Sequence, residues 1–115
     1  LSCTETLRGD TAQATYSNIN LYNCSTWWES GPEIAYSFTA EADQTVTANL
    51  QPLTGISNLD LFVLEENGEG CDANTCLDYD NGEVTWEASA GTTYYVVVDG
   101  FSEAMGAFQI TVTCD

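Results

Sequence analysis

Apolar and polar residues alternate along several short stretches of the chain, and most of the apolar positions are β-branched or aromatic. A period of two gives a strand one apolar face, whereas no stretch shows a strong 3.6-residue helical period. The six clearest predicted strands, followed by two weaker candidates, are Glu33–Thr39, Thr45–Leu50, Leu59–Leu64, Glu83–Ala88, Thr93–Asp99, Ala107–Thr113, Thr4–Leu7 and Gln13–Tyr16.

Turn-forming pairs separate these stretches, among them Gly31-Pro32, Asn67-Gly68 and Asn81-Gly82. Short strands spaced roughly ten residues apart, with turn signals between them, are typical of an antiparallel β-sandwich. We therefore predict an all-β sandwich of about eight strands. Without a linker or an internal repeat, residues 1–115 are expected to form one domain.

The charge of the chain is strongly one-sided: 18 acidic residues face one basic residue, Arg8, for a net charge of −17. Binding to nucleic acid or to an anionic membrane needs clustered Lys and Arg, so the composition excludes both kinds of partner. No apolar run is long enough for membrane insertion. The acidic excess leaves three interpretations, namely Ca²⁺ binding, a solubilising surface, and attraction to a cationic partner.

The chain contains no His and no Lys. Their absence removes Ser-His-Asp and Cys-His catalysis, His-ligated zinc and Schiff-base chemistry. No pair of carboxylates is marked as the acid and base of a glycosidase. We expect a protein that is not an enzyme and has no organic cofactor.

Five cysteines in so short a chain favour an oxidising compartment, so we expect a secreted or cell-surface protein. Cys71 and Cys76 lie five positions apart between two predicted strands, which predicts a loop disulfide; a site of cysteines around a metal is the competing interpretation. Cys3, Cys24 and Cys114 then leave one pair and one odd cysteine, and chain entropy does not choose among the three pairings.

Three carboxylates stand where strands are otherwise apolar. Asp60 and Asp99 lie within or at the end of apolar strands, and Glu33 follows Gly31-Pro32. With one Arg in the chain, ion pairs cannot satisfy all three, so either a cation or backbone amides must do so. The residues thus predict a Ca²⁺ site at Glu33, Asp60 and Asp99, with the capping of turn amides as the alternative.

Aromatic residues in the loops are candidates for a contact surface. Trp27 and Trp28 are adjacent in a segment rich in Ser and Gly, with Tyr22 nearby, and Phe101 lies in the last loop. Such side chains either cover the core or stack on sugars or a neighbouring subunit.

Four segments resemble bacterial pre-peptidase C-terminal domains, in matching order and spacing. The segments are GPEIAYSF (31–38), LDLFVL (59–64), GTTYYVVVDG (91–100) and GAFQITV (106–112). The resemblance implies a jelly-roll-like sandwich secreted by bacteria. Some members of the family bind Ca²⁺, and some bind collagen or other insoluble substrates.

Two functions remain open. In the first, the odd cysteine, the missing Lys and the paired Trp residues indicate a structural subunit that assembles with itself into a filament or matrix. In the second, which the family resemblance supports, the domain is an accessory module that holds a secreted exoenzyme on an insoluble substrate such as collagen or a polysaccharide. The sequence favours the first.

Overall fold

Eight strands form where alternating or continuous apolar runs occur in the sequence. The structure, a computed structural model, describes residues 1–14, 19–53 and 58–115. The strands are β1 Thr6–Asp10, β2 Ile34–Thr39, β3 Gln44–Pro52, β4 Leu59–Glu65, β5 Cys76–Asp80, β6 Glu83–Ala88, β7 Thr93–Gly100 and β8 Ala107–Cys114. Three short 3₁₀ turns, Thr11–Gln13, Ala73–Thr75 and Phe101–Glu103, lie between them. No helix among the described residues is long and apolar enough to cross a membrane.

The strands pair into two antiparallel four-stranded sheets with the orders β1-β8-β3-β6 and β2-β7-β4-β5. The predicted antiparallel β-sandwich is therefore confirmed. The inner faces of the two sheets enclose the main core, in which every second residue of a strand is buried. Trp86 of β6 packs edge-on against Phe38 of β2, so the largest aromatic rings join the two sheets.

The strand β4 is buried on both faces, which distinguishes it from a half-exposed sandwich strand. Leu61 and Val63 face the main core, whereas Phe62 and Leu64 belong to a second apolar cluster. This second cluster lies on the outer face of the sheet β2-β7-β4-β5 and includes Tyr22. Residues 19–33, hereafter the covering segment, thus shield the outer face of this sheet at Phe62, Leu64 and Val97, whereas the outward residues of β2 stay exposed.

The six strong strand predictions are confirmed, and the bounds of β6 are those expected. The weaker candidate Thr4–Leu7 starts too early, because Thr4 has a φ of 66° and a β-strand needs negative φ. Of Gln13–Tyr16, Gln13 ends a 3₁₀ turn and residues 15–16 lie outside the described residues. The sequence analysis missed β5, since only Leu77 and Tyr79 alternate with its acidic residues.

The predicted Cys71–Cys76 disulfide is wrong. Cys76 pairs with Cys24, and Cys71 is free and exposed. The cause is a tertiary contact: Asn23 donates its backbone N–H to Ala73 O and its side-chain amide to Asn74 O, and its Oδ1 accepts the N–H of Cys76. These hydrogen bonds place the neighbouring Cys24 against Cys76.

The second disulfide joins Cys3 to Cys114, with 5.5 Å between the Cα atoms. One pair among Cys3, Cys24 and Cys114 was expected, and this is that pair; the odd cysteine of the chain is Cys71 instead. The N–H of Thr4 donates to Val112 O, so the segment before β1 already lies along β8. The disulfide therefore fixes an edge strand that backbone hydrogen bonds have positioned.

Peptide mapping checks this pairing. Cleavage of the unreduced protein at Glu and Asp residues, which cuts at Asp72 between Cys71 and Cys76, is expected to release Cys3 linked to Cys114 and Cys24 linked to Cys76, with Cys71 alone open to alkylation. A Cys24→Ser, Cys76→Ser double variant should lose about 4 kcal/mol of unfolding free energy, because the closed loop is long. Urea titration measures this loss. A linked Cys71–Cys76 peptide would contradict the assignment.

Candidate functional site

The covering segment is held to the sheet by its backbone and by inward-facing side chains. Gly31 N–H donates to Gly100 O of β7, and within the segment Glu29 N–H donates to Asn20 O. Tyr22 lies flat on Phe62 of β4 with 3.8 Å between the ring centroids. The segment therefore brings polar and aromatic groups onto the outer face of the sheet.

Three carboxylates lie side by side across this face. Asp60 of β4 and Asp99 of β7 are directly opposite each other in the strand register. Glu33 immediately precedes β2, whose Ile34 pairs with Val98 of β7, so Glu33 lies at the level of Asp99. The structure thus brings together all three residues that the sequence marked as unusual, and all three are buried.

A fourth carboxylate, which the sequence analysis missed, joins this row from the covering segment. Glu29 is 0% exposed, and neither of its carboxylate oxygens has an N–H or O–H donor among the described residues. Its neighbour is Asp60, so a hydrogen bond between them requires one of the two carboxyls to carry a proton. Nothing in the local sequence, Glu29-Ser30-Gly31, signals this burial.

Burial shifts the ionisation of the pair. Loss of solvation raises the pKa of Glu29 to about 9, and the proximity of Asp60 and Asp99 raises it further. Desolvation also raises the pKa of Asp60 to about 6, against the lowering effect of its hydrogen bond with Glu29. Near neutral pH, the proton of the pair therefore resides mainly on Glu29.

Asp99 is satisfied by protein donors. Its Oδ2 accepts the hydroxyl of Tyr22 at 2.7 Å, and its Oδ1 accepts the N–H of Gly100 at 2.8 Å. Desolvation nevertheless raises the pKa of Asp99 to about 8, since burial outweighs these two hydrogen bonds and Glu33 and Asp60 add to the shift. Burial also moves the pKa of Tyr22 far above its ordinary value, so Tyr22 remains a donor.

Protein donors already contact two of the three carboxylates that the sequence predicts as a Ca²⁺ site. Both oxygens of Asp99 accept protein hydrogen bonds, and Oε1 of Glu33 accepts the N–H of Ile19 at 2.6 Å. Across residues 1–14, 19–53 and 58–115, no group of three acidic or Cys side chains has an arrangement that could hold a metal ion. The capping alternative describes Asp99 and Glu33 better, because both accept backbone N–H groups.

Beside the carboxylates, a cleft of about 200 Å³ opens at the surface, and it is lined by Trp27, Asn58, Asp60, Asn81 and Phe101. Its walls come from different parts of the chain joined by backbone hydrogen bonds. Phe101 N–H donates to Asn58 O, and Ser102 N–H donates to Trp28 O. Trp27 also packs edge-on against Tyr79 of β5, with 4.9 Å between the centroids. The cleft therefore has fixed aromatic and polar walls.

The four aromatic residues predicted as a contact surface have different positions. Trp27 and Phe101 line the cleft, and Trp28 is 54% exposed. Tyr22 does not belong to a contact surface, because its ring is buried against Phe62 and its hydroxyl is bonded to Asp99. Of two adjacent Trp residues, one points inward and one outward, as an extended backbone requires.

The chain matches a known protein family. The model of the bacterial pre-peptidase C-terminal domain matches residues 32–100, which is more than half of the chain. The chain belongs to this family. The resemblance inferred from the four sequence segments is confirmed. No curated protein sequence matches the chain significantly.

Two of the solved structures that share this fold illustrate the range of proteins with it. The chain is hereafter called a PPC domain, for pre-peptidase C-terminal domain. One is the pre-peptidase C-terminal domain of a collagenase from Bacillus anthracis, with a TM-score of 0.63 and 14% identity over 98% of this chain and 91% of that one. The other is PliG from Aeromonas hydrophila, a periplasmic inhibitor of g-type lysozyme, with a TM-score of 0.62 and 17% identity over 96% and 85%.

The family is one of bacterial domains. The two disulfides indicate an oxidising compartment, that is, an extracellular or periplasmic location.

The raised pKa values predict that this PPC domain loses stability as the pH rises. Unfolded carboxyls titrate near pH 4, whereas Glu29, Asp60 and Asp99 retain protons up to about pH 9, 6 and 8 in the folded protein. The stability contributed by these protons is complete below about pH 4 and disappears as the pH passes the folded pKa values. Urea unfolding from pH 4 to 9 should show this decline.

A Glu29→Gln variant should show a smaller decline, because its amide carries no titrating proton and can donate to Asp60. Glu65→Gln makes the same substitution at an exposed residue at the end of β4, so it controls for the change in net charge. If the unfolding free energy depends on pH equally in the two variants, the raised pKa is not that of Glu29.

Proposed function

We propose that this PPC domain is a non-catalytic module of an exported bacterial protein, and that it binds an external protein or substrate through the cleft between Trp27 and Phe101. The cleft is the observation that carries the proposal. It combines two aromatic walls with two side-chain amides and one carboxylate. Binding sites typically have mostly apolar walls and a few fixed polar groups of this kind.

The two solved structures support binding over self-assembly. One is part of a collagenase, and the other is an inhibitor of an enzyme, so each is named for an external macromolecule. The accessory-module hypothesis therefore has more support than the filament subunit favoured by the sequence.

The absence of catalysis is proposed on the geometry of the acids. A glycosidase holds its two carboxyls roughly 5 to 9.5 Å apart with substrate between them. Glu29 and Asp60 instead contact each other, and Glu29 is sealed from solvent. No sugar bond can enter between them.

Truncation of a cleft wall tests the proposal. Trp27→Ala should weaken retention on the true partner at least about tenfold, because a buried aromatic anchor contributes most where water is excluded. Co-sedimentation with insoluble collagen, chitin or cellulose measures the retention. Titration with a g-type lysozyme measures the affinity for a soluble protein. Leu77→Ala, which truncates an exposed apolar residue on β5, is the matched control. Equal retention of both variants would contradict a role for the cleft.

Self-assembly through a disulfide would have to use Cys71, because the other four cysteines are closed within the chain. Desolvation and the carboxylates of Glu33, Glu66 and Asp72 raise the pKa of this thiol to about 11. Thiolate is the reactive form, so bridging between copies should be slow at neutral pH. A non-reducing gel of the wild type beside Cys71→Ser is expected to show monomers for both, whereas a ladder in the wild type alone would support the polymer.

Calcium binding at Glu33, Asp60 and Asp99 stays a prediction with its own test. With free Ca²⁺ at about 100 times the Kd of the site, binding would stabilise the fold by about 2.7 kcal/mol. A chelator would then lower the melting temperature. An unchanged melting temperature in chelator and in millimolar Ca²⁺ would remove it. Mg²⁺ at equal ionic strength separates specific binding from screening.

A further inference from the structure

We infer that the cleft receives a guanidinium group, the arginine side chain of a basic protein partner, stacked between Trp27 and Phe101 and paired with Asp60. The inference rests on the proposed function, since it names the chemistry of the ligand that the same cleft takes. It is drawn from the lining of the cleft, from the buried carboxylates next to Asp60 and from the charge of the chain.

Among the described residues, Asp60 and Glu29 form no salt bridge with a cationic group. Asp60 is the only ionisable residue among the five described residues of the lining. Its neighbour Glu29 is fully buried, with no N–H or O–H donor on either oxygen among the described residues. The only salt bridge in the described part of the chain joins the N-terminal amine to Glu5, far from the cleft in sequence. A cation that enters beside Asp60 would supply the charge that this group of acids lacks.

The aromatic walls select the shape of the cation. Trp27 and Phe101 both line the cleft, and a cation within about 6 Å of an aromatic ring face is attracted to it. Guanidinium is flat, stacks on aromatic rings, and offers paired N–H donors that match a carboxylate. The side-chain amides of Asn58 and Asn81 supply acceptors at the same cleft for the remaining N–H groups. The volume of about 200 Å³ suits a single side chain better than a polymer chain.

The charge of the whole domain indicates a protein partner of opposite charge. With a net charge of −17, the domain attracts basic proteins over long range and repels acidic ones. Neutral polysaccharides gain nothing from this field. A basic protein can present an exposed arginine to the cleft while its other cations face the acidic surroundings.

Two nearly isosteric small probes test the inference. N-acetyl-arginine amide carries the guanidinium, and N-acetyl-citrulline amide replaces it with a neutral urea group. In two-dimensional NMR titrations at 20 mM salt, the arginine probe should shift the Trp27 indole N–H and the side-chain amides of Asn58 and Asn81 saturably. The citrulline probe should bind at least about tenfold more weakly. Binding of the arginine probe should weaken in 500 mM NaCl.

The variant Asp60→Asn should weaken binding of the arginine probe at least about tenfold, and it retains a side chain able to hydrogen-bond to Glu29. Glu65→Gln removes one charge from the end of the same strand and should bind as the wild type does. Far-ultraviolet circular dichroism and one-dimensional NMR of each variant confirm the fold.

Equal binding of arginine and citrulline probes, or an unchanged affinity in Asp60→Asn, would overturn the inference. Equal or tighter binding of N-acetyl-lysine amide would overturn the choice of guanidinium. If Trp27→Ala abolishes retention on chitin or collagen while the arginine probe does not bind, the proposed function holds and the guanidinium inference fails. If no macromolecule depends on Trp27, the proposed function fails first.

Discussion

Tyr22 lies flat on Phe62 while its hydroxyl donates to Asp99, and this contact holds the covering segment on the sheet β2-β7-β4-β5. Without it, Phe62 and Leu64 would face water on a strand that is apolar on both sides. The same contact satisfies a carboxylate that burial would otherwise disfavour. The arrangement of the cleft and of the buried acids therefore depends on one tyrosine.

Disulfides and hydrogen bonds divide the work of closing the fold. Cys24–Cys76 ties the covering segment to β5, and Cys3–Cys114 ties the segment before β1 to β8. Both close long stretches of chain, so each removes much entropy from the unfolded state. A domain with one Arg and no Lys has few ion pairs available, and covalent links and apolar burial stabilise it instead.

The buried acids lower the stability of the fold, and their position beside the cleft gives a reason for their presence. Glu29 and Asp99 hold protons near neutral pH because charging them inside the protein is unfavourable. A structure built only for stability would replace them with apolar residues. Their retention next to an aromatic cleft agrees with the proposed binding role, in which Asp60, the carboxylate that lines the cleft, would meet a cationic ligand.

The sequence by itself determined six of the eight strands, the sandwich and the family, because alternation with a period of two is a local property that also sets which face is buried. It also identified Glu33, Asp60 and Asp99, since an acid within an apolar strand stands out. Only the tertiary structure decided the partner of Cys76, the burial of Tyr22 and Glu29, and the presence of Trp27 and Phe101 in one cleft. These depend on where an irregular segment without periodicity lies on the sheet, and contacts between residues far apart in sequence leave no local pattern.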